Sequence, residues 1–149
     1  MSKNEQSSYL GSLEFFQICN CLTKVIVNLN KLVTKISFLN FPEIDKELML
    51  SYLHIECLQQ SNFCEEAIET YCPNFDFPKK NTEQKLKFYL NYYLGFVLDG
   101  LYFLDYSFTM PTLKQEDGKT FAVKSFEKSN EILKNIEQII NNKKGAALN

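Results

Sequence analysis

The stretch from Leu86 to Phe108, LKFYLNYYLGFVLDGLYFLDYSF, constrains this chain more than any other. Apolar residues occur on every side of it, so as a helix it offers no obvious solvent face. Such a helix is buried in a protein core or spans a membrane. Asn91, Asp99 and Asp105 interrupt the run, and acidic side chains near a bilayer centre are costly. No uninterrupted apolar run reaches the roughly 18 residues that a span needs. The expectation is a central helix of a bundle, with Leu94 and Leu98 on its densest apolar part and no membrane span.

The N-terminal part supplies a partner for that helix. Phe15, Ile18, Leu22, Val25, Leu29, Leu32, Ile36 and Leu39 recur with spacings 3-4-3-4-3-4-3. This is a heptad stripe. Leu13, Phe16, Ile26 and Val33 widen it beyond a two-stranded seam, which predicts a bundle edge and a monomer rather than a coiled-coil dimer. Asn40 with Glu43, and Pro42, predict a second helix from about Pro42 to Gln59. Its packing face is expected to carry Ile44, Leu48, Tyr52, Ile55 and Leu58. Gln59-Gln60-Ser61-Asn62 is expected as a turn, and Asn62 with Glu65 as the cap of a short helix to Tyr71.

Pro73–Lys80 reads as a loop, because the residue before a proline avoids the α region. Asn81 with Gln84 caps the next helix. Gly95 and Gly100 inside it predict close approach of neighbours, since each costs about 1 kcal/mol against Ala. Thr109–Gly118 is expected as a second loop. A last helix follows from Lys119 to Asn141, where Ala122, Phe126, Ser129, Leu133, Ile136 and Ile140 repeat at 4-3-4-3-4. The fold class is all-α: four to five antiparallel helices in a bundle or short helical-hairpin array. Residues 1–142 are expected to form one helical domain and 143–149 a flexible tail.

Composition narrows the function classes. All 16 basic residues are lysine, so the bidentate fork that grips phosphates and base edges is missing. The net charge is −2, whereas nucleic-acid modules carry a basic face; no nucleic-acid partner is expected. His54 is the only histidine, and it sits mid-helix, away from any triad pattern. Cys19, Cys21, Cys57, Cys64 and Cys72 lack the spacing of structural zinc sites. An odd cysteine count and a polar start point to reduced thiols and a cytoplasmic protein. No glycine-rich phosphate loop is present among the five glycines. No cofactor, metal or catalytic residue is expected.

Two stretches resemble a known repeat. Tyr52–Tyr71, with its QQSN turn and CEEAIETY, is similar to a tetratricopeptide-type helical hairpin. Leu94-Gly95 and Ala122-x-x-x-Phe126 resemble the small-residue and Ala/Phe positions of such a repeat. The loop between those helices is far longer than the repeat's, and its aromatic and proline anchors are missing. The resemblance covers about half of the chain, implies helical hairpins, and carries over no functional residue.

The functional expectation is a non-catalytic protein–protein interaction protein: an adaptor, inhibitor or complex subunit. Its partner would be another protein, anchored by apolar loop side chains, Phe75 and Phe77 in the first loop and Met110 and Leu113 in the second. The alternative is a carrier or sensor of a hydrophobic small molecule among the core aromatics. A cavity of roughly 300 Å³ lined by Phe and Tyr, with Asp99 at its edge, would favour that alternative. An exposed apolar patch would favour the first.

Overall fold

The computed structural model describes residues 3–72, 81–109 and 112–148, with side chains over 13–72, 81–109 and 116–142. Among the described residues, four helices make up the fold: α1 Lys3–Ser37, α2 Lys46–Tyr71, α3 Thr82–Thr109 and α4 Thr112–Leu148. One turn of 3-10 helix, Phe38–Asn40, follows α1. Among the described residues there is no strand. The expected all-α bundle is what forms.

Successive helices run antiparallel. Lys35 of α1 bonds Glu56 of α2, while Cys21, further back, shares a groove with Ala67 and Tyr71. His54 of α2 meets Asp105 of α3, and at the other end the Cys72 thiol donates to the Lys87 carbonyl at 3.4 Å. Phe103 of α3 lies 5.2 Å from Phe121 of α4, and Lys128 sits over the Phe96 ring. Lys87 pairs with Glu14 at 2.7 Å and ties α3 to α1, which run parallel.

The heptad stripe of α1 faces inward along its whole length. Ile18, Leu22, Val25 and Leu32 are buried, and Phe15, Leu29, Ile36 and Leu39 pack against the same core. The residues expected to widen the stripe do not all follow: Leu13, Phe16 and Val33 are exposed. From α3 the core takes Leu86, Leu90, Tyr93, Leu94, Val97 and Leu101. Helix α3 supplies more buried residues than any other helix among the described residues, yet Tyr92, Asp99 and Tyr102 on its outer side are exposed. A four-helix bundle leaves every helix one wet side, and here α3 places amphipathic tyrosines there.

Boundaries differ from the periodicity reading in three places. Asp45, not Asn40, caps α2, its side chain accepting from the Leu48 amide at 3.2 Å. Gln59–Asn62, expected as a turn, is helical, so α2 is one continuous helix. No Gly or Pro breaks that stretch, and Cys57 and Cys64, seven residues apart, keep one face on the core. Helix α4 opens at Thr112, so Asp117-Gly118 is helical, and it continues to Leu148 through most of the expected tail. The cap at Asn81 forms as expected, its side chain accepting from the Gln84 amide at 2.8 Å.

Glycine placement explains the α3–α4 seam. A Cβ on Gly118 would lie 3.0 Å from the Phe103 carbonyl oxygen and 3.1 Å from the Ser107 Cβ. One on Gly100 would lie 2.6 Å from the Phe126 ring. Small residues Ser107, Ala122 and Ser129 are buried as well. Gly95, expected to be a close-approach point, meets nothing within 4 Å. The contrast is testable. Gly95→Ala is expected to raise stability by up to about 1 kcal/mol through helix propensity alone. Gly118→Leu is expected to lower it by about 1–3 kcal/mol, because the obstacle is backbone and cannot swing aside. Urea midpoints of both variants check this, and equal shifts would contradict the seam.

Candidate functional site

Phe75, Phe77 and Met110 lie outside the described residues. Leu113 belongs to the first turn of α4, and its side chain also lies outside the described residues. Among the described residues, a row of exposed apolar side chains lies on the outer side of α2.

Helix α2 carries two apolar stripes. Leu53, Cys57, Cys64 and Ala67 form the buried one. Leu48, Tyr52, Ile55 and Leu58 form the other, and they are 70%, 49%, 52% and 49% exposed. The second stripe was expected to pack inward, so the assignment of faces is reversed. The reason lies further along the helix. Continuing the Leu48 stripe leads to Asn62, Glu65, Glu66 and Glu69, all exposed. Turning that face inward would bury unpaired carboxylates, at a cost no leucine could offset. The Leu53 stripe carries no charged residue to its end, so it takes the core. This signal was present in the sequence as a change of character along one helical face.

The stripe is held in shape at its edge. The Lys35 ammonium bonds Glu56 and lies 5.1 Å above the Tyr52 ring. The bond to Glu56, helped by Tyr52, raises the Lys35 pKa above its ordinary value, so it remains charged. Just before α2, Phe38 and Phe41 pack with ring centroids 6.0 Å apart, and both are exposed. The exposed Phe38–Phe41 pair thus precedes the stripe in the chain, separated from it by the exposed Glu43, Asp45, Lys46 and Glu47.

The residues weighed for chemistry are placed as follows. His54 Nδ1 lies 2.5 Å from Asp105 Oδ1, a pairing that no local pattern revealed because the two stand 51 residues apart. Cys57, one turn on from His54, is buried, and burial followed by the Asp105 and Glu56 charges pushes its thiol up to about 12. A thiol so held is protonated and a poor nucleophile. The Cys64 thiol is pushed to about 12 and the Cys72 thiol to about 11, again mainly by burial. The buried thiols serve as small hydrophobes that let α2 pack closely. Among the described residues no group of three or more His, Cys, Asp or Glu side chains is placed to hold a metal ion.

Two further hollows lie elsewhere among the described residues. Asp99 edges a shallow groove of about 320 Å³ between α2 and α3, with Tyr92, Gly95 and Phe96 beneath it. The groove is open to water rather than enclosed, so it lacks the closed aromatic cavity that a carrier would need there. A narrower crevice lies between α1, α3 and α4, where Leu29, Leu32, Tyr93, Leu104, Phe126 and Leu133 meet around about 160 Å³. Compared with known proteins, the chain matches no family model, no curated protein and no solved structure. No helix among the described residues is long and apolar enough to cross a membrane.

Proposed function

We propose that this chain is a non-catalytic, cytoplasmic protein-binding module whose outer α2 face docks an amphipathic helix of another protein. The observation that carries this reading is the Leu48–Tyr52–Ile55–Leu58 stripe, about half or more exposed on the side of α2 facing away from the core. Contiguous apolar surface of this kind marks interaction sites, and helices laid along such faces anchor through residues one turn apart. The partner's chemistry follows from the rim. Glu47, Glu65, Glu66 and Glu69 are exposed along the stripe and its continuation, so the docking helix should pair an apolar ridge with lysines or arginines. The inward-facing α1 heptads support a chain that is monomeric alone, because they leave no free seam for a second copy. The cysteines, none joined in a disulfide, support a reducing compartment.

The test is Leu48→Ser combined with Ile55→Ser, with Val27→Ser on the exposed face of α1 as control. Stability should change by less than about 0.5 kcal/mol in each case, as for ordinary surface positions. One and the same captured protein should be held by the wild-type chain and by the control, and its affinity for the double variant should fall at least about tenfold. Equal retention by all three removes α2 from the interface. Light scattering that finds a wild-type dimer split by the double variant would make the occupant a second copy, against the proposal.

A further inference from the structure

We propose that the crevice between α1, α3 and α4 is a second, separate binding site, for a neutral molecule built on a single aromatic ring. Its floor is Leu32 and Tyr93, both 1% exposed. Leu29, Leu104, Phe126 and Leu133 form the walls, and Asn30, Val33 and Asn130 the mouth. No residue of α2 contributes, so this site does not share the docking face.

Size, charge and shape each restrict the ligand. The crevice offers about 160 Å³, close to the ~150 Å³ apolar cavity that stays dry and binds benzene. A single ring fills most of this space, and a second fused ring would have to reach out through the open mouth, past Asn30 and Asn130. No charged side chain lines the space, so an ionic ligand would lose its water and find no partner. The buried Ser129 hydroxyl donates to the Phe126 carbonyl of its own helix at 2.7 Å and is already engaged. Burial pushes the Tyr93 phenol above its ordinary range, keeping it uncharged. The remaining polar groups are the Asn30 and Asn130 amides at the mouth, both on exposed residues. They suit one small polar substituent pointing outward, while the Tyr93 and Phe126 rings suit an aromatic body.

The experiment titrates toluene, benzyl alcohol, benzoate and benzylammonium into the whole chain and follows backbone and side-chain amide signals. Toluene and benzyl alcohol should give saturable shifts confined to Leu29, Leu32, Tyr93, Phe126 and Ser129, and should raise the melting temperature. Benzyl alcohol alone should also move the Asn30 and Asn130 side-chain amides. The two ions should do neither. Absence of saturable shifts with both neutral probes overturns the site. Equal binding of the ions overturns its neutrality, and shifts centred on Leu48 and Ile55 overturn its position. Leu133→Trp places a ring in the crevice and should abolish binding while the fold persists. Should that variant not fold, Leu104→Ala widens the space and should admit naphthalene, which the unaltered chain should refuse. Naphthalene bound equally by both would overturn the size limit.

Discussion

Leu94→Ala is expected to cost this protein about 2–5 kcal/mol of stability, the range for removing a fully buried leucine from a core that cannot close over the gap. Leu94 has 0% of its surface exposed and lies in the middle of α3, between the buried Leu90 and Val97. The other helices also converge on this core, through Leu22 and Val25 of α1, Leu53 of α2 and Ile136 of α4. No single neighbour can move in without disturbing the others, so most of the cavity should persist. Leu98 looks equivalent in the sequence but is only half-buried, at the edge of the same core. Leu98→Ala should therefore cost clearly less than Leu94→Ala. Chemical denaturation of both variants checks the pair. Equal losses would mean that α3 is rotated about its axis relative to the structure described above.

The second large effect is loss of stability in alkali. Burial raises the thiols of Cys57 and Cys64 from an ordinary 9.0 to about 12, and that of Cys72 to about 11. Below the ordinary value, folded and unfolded chains hold these protons alike, and the stabilisation is fully present. Above it, the unfolded chain releases protons that the folded chain keeps. Stability then falls with rising pH, and the contribution is lost as pH climbs through the folded values. Each engaged thiol contributes a slope of about 1.4 kcal/mol per pH unit. Three acting together amount to several kcal/mol, on the order of a small domain's whole stability. Urea midpoints should therefore drop steeply as the pH rises above about 9 towards the folded values of about 11 to about 12. The buried Tyr93 phenol, also raised, acts in the same direction. Cys64→Ala separates the thiols from other titrations. It changes the absolute stability through packing, but its slope against pH should be shallower by about one thiol's worth. An unchanged slope would mean that Cys64 is not held protonated by the fold.

Several features of this fold were legible in the linear chain. The heptad positions from Phe15 to Leu39 all reach the core, seven of them on α1 and Leu39 on the 3-10 turn that follows it, because a 3-4 spacing places residues on one side of a helix. The Asn81 cap was legible for a similar reason, since capping is a contact between residues three apart and needs nothing from the rest of the molecule. The all-α class followed from the same periodicities, and so did the lack of any run long and apolar enough to span a bilayer. Leu98, Phe16 and Val33 show the limit of this reasoning. Periodicity tells which residues share a side, but not how much of that side its neighbours cover.

Tertiary structure decided the rest. Helix α2 offers two apolar stripes of similar strength, and only packing against α1 and α3 selects Leu53, Cys57, Cys64 and Ala67 for the core and leaves Leu48, Tyr52, Ile55 and Leu58 in water. The glutamates further along the outer stripe hinted at that choice, yet the hint becomes compelling only once α2 is known to run unbroken through Gln59–Asn62. The meeting of His54 with Asp105, and the crevice that joins residues of α1, α3 and α4, are contacts between distant parts of the chain. Gly95 and Gly100 are five residues apart on one helix, and one faces open space while the other faces the Phe126 ring. Local spacing dictates which side of a helix a residue occupies. What stands opposite that side is set by how four helices share one core, and no short-range pattern encodes it.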